Sequence, residues 1–551
     1  MTIKEQISSI DSLKPGQMSV TEQSFVLSTL ETVLQVMSEQ TVLIQSLRDE
    51  INRLKGEDGK PTISGKNQKE PVAVNNQISS ESARKDKTQP RQAKPIKFDD
   101  TRLIDEIQTI DILDKSVLPS DVVFKGYAKS RYQSLEIRSK LIEIQRSIYY
   151  SASTNKTYTA DLPVGYEKGS DYTQELKGHI SLFKFSLGLS IPKIGDFLRM
   201  HGISISNGSI SNIVLENGES LKGERTAIHQ AGLNTGLYES TDTTASRFNG
   251  VNYNTHVFGN EAYTAYFTKP HKDRQTVLDL IRGEQPRTYL FNEHTFTLYE
   301  YLKIPFKITH PLRPLISDKT VDKQAIMAQI KGCLSAEDYQ KHEDKLLEGA
   351  YLAAYYAQNP LNILVSDDAP QYKLVSLLIA LCWVHAGRHF KKLNPKFKHH
   401  QDLVSDFSTQ FWDFYHKLKD YKLKPDPKTA KSLADEFDII FSLKTGYQDL
   451  DDRIEKTKDN KQQLLVVLKH PYVPLHNNDA ELAVRKEVRY RDVSFQTRTD
   501  KGTQAKDVFF TIIQTCKKLG VNAYLYILDR VTKKCDFTPL DVLVERRNLA
   551  F

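Results

Sequence analysis

The sequence predicts a mixed α/β core carrying helical insertions, preceded by a coiled coil and an all-α region. Three observations carry that expectation. An apolar repeat of seven residues runs through residues 23–55. Three short segments rich in Tyr, Val, Thr and Phe follow residue 235, separated by Asn and Gly turns. A further apolar run, LNILVSDD, ends in paired acids and precedes a long apolar stretch. At 551 residues the chain is too long for one compact core, and three or more domains are expected.

In the first segment apolar side chains stand at Val26, Leu30, Val33, Met37, Ile44, Leu47, Ile51 and Leu54, with Gln40 as the one polar position of the series. Steps of three and four sustained over about four heptads predict a coiled coil, through which the chain would self-associate. An amphipathic helix packed on its own chain is the alternative. Residues 1–22 read as a tail. Residues 56–97 are polar, with Gly and Pro, and read as a flexible linker whose end is basic (Arg84, Lys85, Lys87, Arg91, Lys94, Lys97). Such a strand either follows a phosphate backbone or is an ordinary solvated linker.

Residues 98–230 are expected to be a helical DNA-binding region, mostly helical from 130 to 220. Near 190–215 the stretch SIPKIGDFLRMHGISISNGSISNIV reads as a helix-turn-helix. Ser190 would cap a helix with Pro192 in its first turn, Gly202 would turn, and Ser206 would cap the next helix. Ile194, Phe197, Leu198, Ile210, Ile213 and Val214 would face inward. Asn207, Ser209, Ser211 and Asn212 would then be free for base edges or phosphates. Plain helical packing explains the same pattern without DNA.

The core is expected over 235–400 and 470–500. LYESTDTTASRF, VNYNTHVFG and AYTAYFTK predict an antiparallel meander, KDRQTVLDLIRG a helix, LNILVSDD a buried strand, and QYKLVSLLIALCWVHAGRHFKKL one largely apolar helix. An insertion spans about 284–360 and a charged helical insertion 401–469. HNNDAELAVRKEV opens a late helix, and 501–551 continues as helices.

Bulk properties narrow the function classes. A mean hydropathy of -0.48 points to a soluble protein. The sequence has no apolar run of membrane-spanning length, and MTIKEQISSIDSLK is not a secretory signal, so a cytoplasmic protein without membrane partners is expected, nucleoid-associated when on DNA. Four scattered cysteines, with no Cys-x-x-Cys pair, exclude a disulfide framework and a zinc ribbon. A net charge of +7 suits an anionic partner.

Three acids stand at distinctive places in this order of elements. Asp242 is expected to close the first strand, Asp367 the fourth, and Glu481 to open the late helix. That is the plan of a ribonuclease-H-like fold, in which carboxylates from separate elements meet and hold two divalent metal ions, Mg2+ or Mn2+, against a phosphodiester. Neighbouring residues of an extended chain point to opposite faces, so one of Asp367 and Asp368 would face the ions; Asp367 is preferred and Asp368 is its rival. Glu481 three residues after Asn478 also fits a helix-capping acid. Arg485, Lys486, Arg489 and Arg491 make that helix cationic, as a DNA channel needs, and a solvated charged face is the alternative. His385 and His389 lie four apart and are read as structural rather than zinc ligands, Cys382 and Trp383 as core, and Arg388 as facing substrate.

The motifs SDDAPQY, CWVHAGRHF, HNNDAELAVRKEVRYRDVSF and IIQTCKKLGVNAYLYILDRV together resemble the insertion-sequence-66 family of transposases over most of the chain after residue 130. Asn477, Asn478 and Glu481 fit the family's Asn-Asn-x-x-Glu, and Thr515, Gly520 and Leu525 broadly fit its terminal pattern. The chain departs from the family at Leu482 and Gly387, where Arg is usual, lacks a cysteine-rich zinc segment, and is longer over 284–360. The resemblance implies cutting and joining of the ends of a mobile DNA element, with Asp242, Asp367 and Glu481 as the catalytic, metal-binding triad. Element ends, target DNA, a second copy of the chain and accessory proteins of the element are the implied partners. A metal-dependent nuclease or resolvase of the same fold, and a non-catalytic dimeric DNA-binding regulator, are the other readings.

Overall fold

A computed structural model of the chain describes residues 30, 40, 104–110, 123, 126–128, 130–283, 285–358 and 360–550. The expected coiled coil at 23–55 and basic linker at 56–97 lie outside the described residues, Leu30 and Gln40 excepted. The chain divides into two units, residues 38–137 and residues 1–37 with 138–551. In the first, the described residues from 104 onward belong to no helix or strand.

The second unit holds the fold. From residue 138 on, its first described element is a hairpin, β1 (Ile148–Ser151) and β2 (Lys156–Thr159), paired antiparallel. Helix was expected from residue 130; helices begin at 174. Tyr149, Tyr150, Thr157, Tyr158 and Thr159 favour extended backbone, and Asn155 supplies the positive φ that closes the turn. Four helices follow, α1 (Gln174–Phe185), α2 (Ile191–Met200), α3 (Asn207–Ser220) and α4 (Lys222–Thr235). Ser190 accepts the Lys193 N–H at the start of α2, with Pro192 in the first turn, and Ser206 accepts the Ser209 N–H at the start of α3. Gly202 turns the chain between them at φ 78°, a conformation open to a residue without Cβ. Ile194, Leu198, Ile210, Ile213 and Val214 are buried in the main core.

A meander comes next: β3 (Glu239–Phe248), β4 (Val251–Gly259) and β5 (Thr264–Lys269). It leads through α5 (Arg274–Ile281), α6 (Glu293–Tyr301), α7 (Lys323–Cys333) and α8 (Ala336–Tyr356) to β6 (Ile363–Ser366), β7 (Leu378–Leu381) and α9 (Trp383–Lys391). Helices α10 (Lys398–Leu423), α11 (Pro427–Ile440) and α12 (Gln448–Asp459) build a separate apolar cluster around the fully buried Trp383. The chain then returns as α13 (Asn478–Ser494), α14 (Asp500–Leu519), α15 (Ala523–Val531) and α16 (Leu540–Leu549).

The strands form one mixed sheet in the order β5-β4-β3-β6-β7, antiparallel through β5, β4 and β3 and parallel through β3, β6 and β7. The segment expected as one helix from Gln371 to Leu393 splits instead into β7 and α9. A short apolar run such as LIAL has no period that separates a buried parallel strand from a buried helix, and only its place beside β6 decides.

Edge strand β5 is closed by a helix rather than a strand. On α14, Asp507, Thr511 and Thr515 stand four residues apart and accept the N–H groups of Thr268, Tyr266 and Thr264 at 2.7, 3.1 and 3.2 Å. Four helical residues rise about 6 Å and two strand residues about 6.8 Å, so the two rows stay in step over this length. The donors of an exposed edge, a template for aggregation, are thereby used up. Thr515, a motif residue, serves this structural end.

Glu239 at the start of β3 is buried, accepting from Tyr263 Oη at 2.8 Å and Asn260 Nδ2 at 3.1 Å. Burial pushes its carboxyl up to about 8, from 4.5. The folded chain therefore keeps a proton that the unfolded chain gives up, and the resulting stability is present below pH 4.5 and lost as pH rises through about 8. Glu239→Gln is expected to flatten the fall in urea-unfolding free energy between pH 5 and 8; an unchanged slope would place that fall on other groups.

Candidate active site

The parallel half of the sheet brings two of the predicted acids level. Glu239 pairs with Leu364 and Ser240 with Val365. Continuing that register by two residues sets Asp367, the residue after β6, level with Asp242. Asp242 thus lies at the fourth position of the ten-residue β3 rather than at its end, because the β3–β4 ladder runs on to the Phe248–Val251 pair. β7 pairs with β6 up to Ser366–Leu381, and Cys382 donates its N–H to the Ser366 carbonyl at 3.0 Å. The ends of β6 and β7 and the start of α9 therefore converge where ligands commonly bind in parallel sheets.

Asp242 accepts the Thr243 N–H at 2.7 Å. Burial pushes its carboxyl up to about 6 against that hydrogen bond, and the negative charges of Asp367 and Glu481 add to the rise. Asp242 thus feels both of the other carboxylates. Asp367 is half-buried and accepts the Ala369 N–H at 3.2 Å. Asp368 is exposed, paired with Lys373 Nζ at 3.1 Å and Asn460 Nδ2 at 3.3 Å. The two neighbours diverge, and it is Asp367 that acts electrostatically on Asp242.

Glu481 lies in the first turn of α13 and does not cap it. The N-cap is Asn477, one residue earlier than expected, and makes no side-chain cap bond. The Glu481 carboxylate is turned to α9, with Oε2 3.1 Å from Arg388 Nη2 and Oε1 3.6 Å from His385 Nδ1. Arg388 Nη1 also lies 3.1 Å from His385 Nε2. Burial holds the His385 imidazole below its ordinary value, against the pull of Glu481 and Asp367.

Of the remaining candidates, Arg485 and Arg489 are exposed on α13, on the helical side that carries Glu481. Lys486 donates to the Ser186 carbonyl at 3.2 Å and Arg491 to the Ala245 carbonyl, so both brace the fold. On α3, Asn207 and Asn212 are exposed, while half-buried Ser209 lies with its hydroxyl 2.9 Å from that of Ser206. A cleft of about 330 Å³ opens beside Asp367. Tyr301, Tyr356, Asn460, Gln462 and Gln463 line it together with β7, so both insertions contribute to its walls.

Asn477 is the positioning residue that pattern reading leaves without a role. It is buried, donates from Nδ2 to the Thr241 carbonyl at 2.7 Å, and sends its N–H to Cys382 Sγ at 3.3 Å. The side chain thus ties the start of the Glu481 helix to the strand residue before Asp242, and the backbone N–H ties it to the start of α9. Asn477→Ala is expected to cost about 1–3 kcal/mol, because it removes the buried bond to the Thr241 carbonyl. Urea unfolding measures this, and a change below about 0.5 kcal/mol would show the tie to be dispensable.

Residues 337–505, which include Asp367, Arg388 and Glu481, match the family described as Transposase IS66 family. "Uncharacterized protein y4jO" of Sinorhizobium fredii (strain NBRC 101917 / NGR234) is 31% identical over 304 residues, 55% of this chain and 94% of that protein. The chain belongs to the IS66 family of transposases. Two local features of this IS66-family chain have structural readings. A Cβ on Gly387 would stand 2.6 Å from a ring carbon of Trp412 and 3.0 Å from Phe411, so no larger residue fits without moving the α10 aromatics. Leu482 is 57% exposed beside Glu481, where a longer side chain would also fit. Among the described residues no helix is long and apolar enough to cross a membrane.

Proposed function

We propose that this IS66-family protein is a DNA transposase that cuts the ends of its element and joins them to target DNA. In this reading the sheet and α13 are a ribonuclease-H-like core, and Asp242, Asp367 and Glu481 are the residues that hold two divalent metal ions, Mg2+ or Mn2+. The observation that carries it is the placing of Asp367 level with Asp242 on neighbouring parallel strands, with Glu481 acting on the same carboxyl. The donor set suits hard cations: three carboxylates supply oxygen, Glu481 Oε1 is buried without a hydrogen bond, and burial with the charges of Asp367 and Glu481 disfavours the bare Asp242 carboxylate, a cost a cation would offset. When bound, the ions supply Lewis-acid stabilisation of the phosphate and activation of the attacking oxygen.

The chain's own residues do the rest. Arg388 stands against Glu481, where it balances charge and can meet a phosphate. Arg485 and Arg489 extend a cationic row along α13 for the strand backbone. The cleft beside Asp367 offers tyrosine rings and amides to a DNA strand. Helices α2 and α3 present Asn207 and Asn212 as the reading face of a helix-turn-helix. Self-association through residues 23–55 would pair two element ends. Water first cleaves the strand and leaves a 3′-hydroxyl, and that hydroxyl then attacks a target phosphate.

The test supplies a pre-cut element end, taken from inverted repeats flanking the gene, with a labelled free 3′-hydroxyl and a second duplex. Joining in Mg2+ is expected. Cutting without joining would leave a nuclease, and metal-independent binding with neither reaction would leave a regulator.

A further inference from the structure

Cys382, His385 and Glu481 bring one sulfur, one nitrogen and one oxygen ligand atom within 4.8 Å of one another. Cys382 is the N-cap of α9 and His385 lies one turn further on, so a single helix start fixes both. Glu481 reaches them from α13. His385 Nδ1 and Glu481 Oε1 face each other at 3.6 Å, and both are buried atoms without a hydrogen bond. Two light-atom ligands of a tetrahedral zinc ion stand roughly 3.3 Å apart, so little movement closes this pair on an ion. The donor set differs in kind from three carboxylates. Sulfur and imidazole select zinc and its neighbours, whereas magnesium takes oxygen.

We propose that Cys382, His385 and Glu481 form a second ion site, for a borderline divalent cation such as Zn2+ or Co2+, and that filling it withdraws Glu481 from the carboxylate triad and stops DNA joining. The inhibitory half rests on the proposed role of Glu481; the binding half does not. As the ion enters, the Cys382 S–H bond gives way to a sulfur–metal bond and the proton leaves to solvent, with no change of oxidation state. The Asn477 N–H at 3.3 Å stabilises the sulfur's negative charge. Coordination through Nδ1 leaves the ring proton on Nε2, so the Arg388 Nη1 contact there is given up. Arg388, 46% exposed, turns toward solvent or keeps only Oε2. Water fills the fourth position.

Cobalt alone, titrated into the intact chain without DNA, tests the site by visible absorption. One tight equivalent is expected, with intense tetrahedral bands and a thiolate-to-cobalt charge-transfer band that Zn2+ abolishes. Cys382→Ser is expected to lose the charge-transfer band. His385→Gln should weaken binding by more than the roughly 10–100-fold that loss of a mere orienting group costs. Asp242→Asn should retain both features. A band absent from the wild type, or unchanged in Cys382→Ser and so owed to another cysteine such as the exposed Cys535, overturns the proposal. Should Cys382→Ser fail to fold by circular dichroism, unchanged affinity in His385→Gln overturns it instead. Zinc-loaded protein that still joins DNA in Mg2+ overturns the shared use of Glu481. Absence of joining in Mg2+ alone counts against the transposase reading and leaves the cobalt result standing.

Discussion

Asp242→Asn and Glu481→Gln are each expected to lower strand joining by on the order of 10³-fold or more while DNA binding persists. In the proposed reading each change removes one anionic oxygen from a set of three supplied by β3, the end of β6 and α13. Neither side chain supports the fold in a way its amide cannot. Asp242 accepts one backbone N–H, which an amide oxygen also accepts, and Glu481 meets Arg388 and His385 at the edge of the site. Loss of joining with an unchanged unfolding midpoint would place the defect in chemistry. Retained cleavage in either variant would falsify that residue's assignment.

The second large effect is on stability. Lys506 is about 1% exposed and lies 2.8 Å from Glu487 Oε1 and 3.7 Å from Asp507 Oδ1, with Thr268 Oγ1 at 3.1 Å. Glu487 also accepts from Ser246 on β3 at 3.0 Å, and Asp507 is one of the acceptors that close edge strand β5. Lys506→Met leaves two carboxylates buried without this cation, an expected loss of about 3–5 kcal/mol. Pairing it with Glu487→Gln should recover part of that loss, because one uncompensated charge disappears. Guanidinium unfolding of the single and double variants measures both, and equal midpoints for wild type and Lys506→Met would show the network to be idle. Glu487 sits on the helix of Glu481, so the network also presses the third acid's helix against the sheet.

What the sequence reveals about this fold follows from how local each signal is. The meander was legible because its strands alternate with Asn and Gly turns. The two capped helices were legible because Ser190 with Pro192, and Ser206, carry their own start signals. Strand β7 was not legible, since LIAL has the same apolar content as a buried helix and takes its identity from β6. The hairpin at 148–159 was hidden within a stretch read as helical, although its tyrosines and threonines favour strand.

The site divides the same way. Asp367 could be picked out at the end of an apolar run, but its preference over Asp368 depends on a register with β3 that no local pattern encodes. Glu481 resembled a capping acid because Asn478 precedes it by three. Its carboxylate instead meets Arg388, 93 residues away in sequence. His385 paired with His389 in sequence spacing, yet in space it belongs with Glu481. Asn477 could be quoted as part of Asn-Asn-x-x-Glu, while its tie to Thr241 spans 236 residues.

Joining of a pre-cut element end by Asp367→Asn and Asp368→Asn, compared side by side with the wild type in Mg2+, tests the account most directly. The two substitutions are adjacent and chemically identical, so they differ only in which way the side chain faces. The account predicts that Asp367→Asn abolishes joining and that Asp368→Asn, which loses only a surface contact with Lys373 and Asn460, retains it. Joining by Asp367→Asn, or its loss in Asp368→Asn alone, would contradict the placing of the triad.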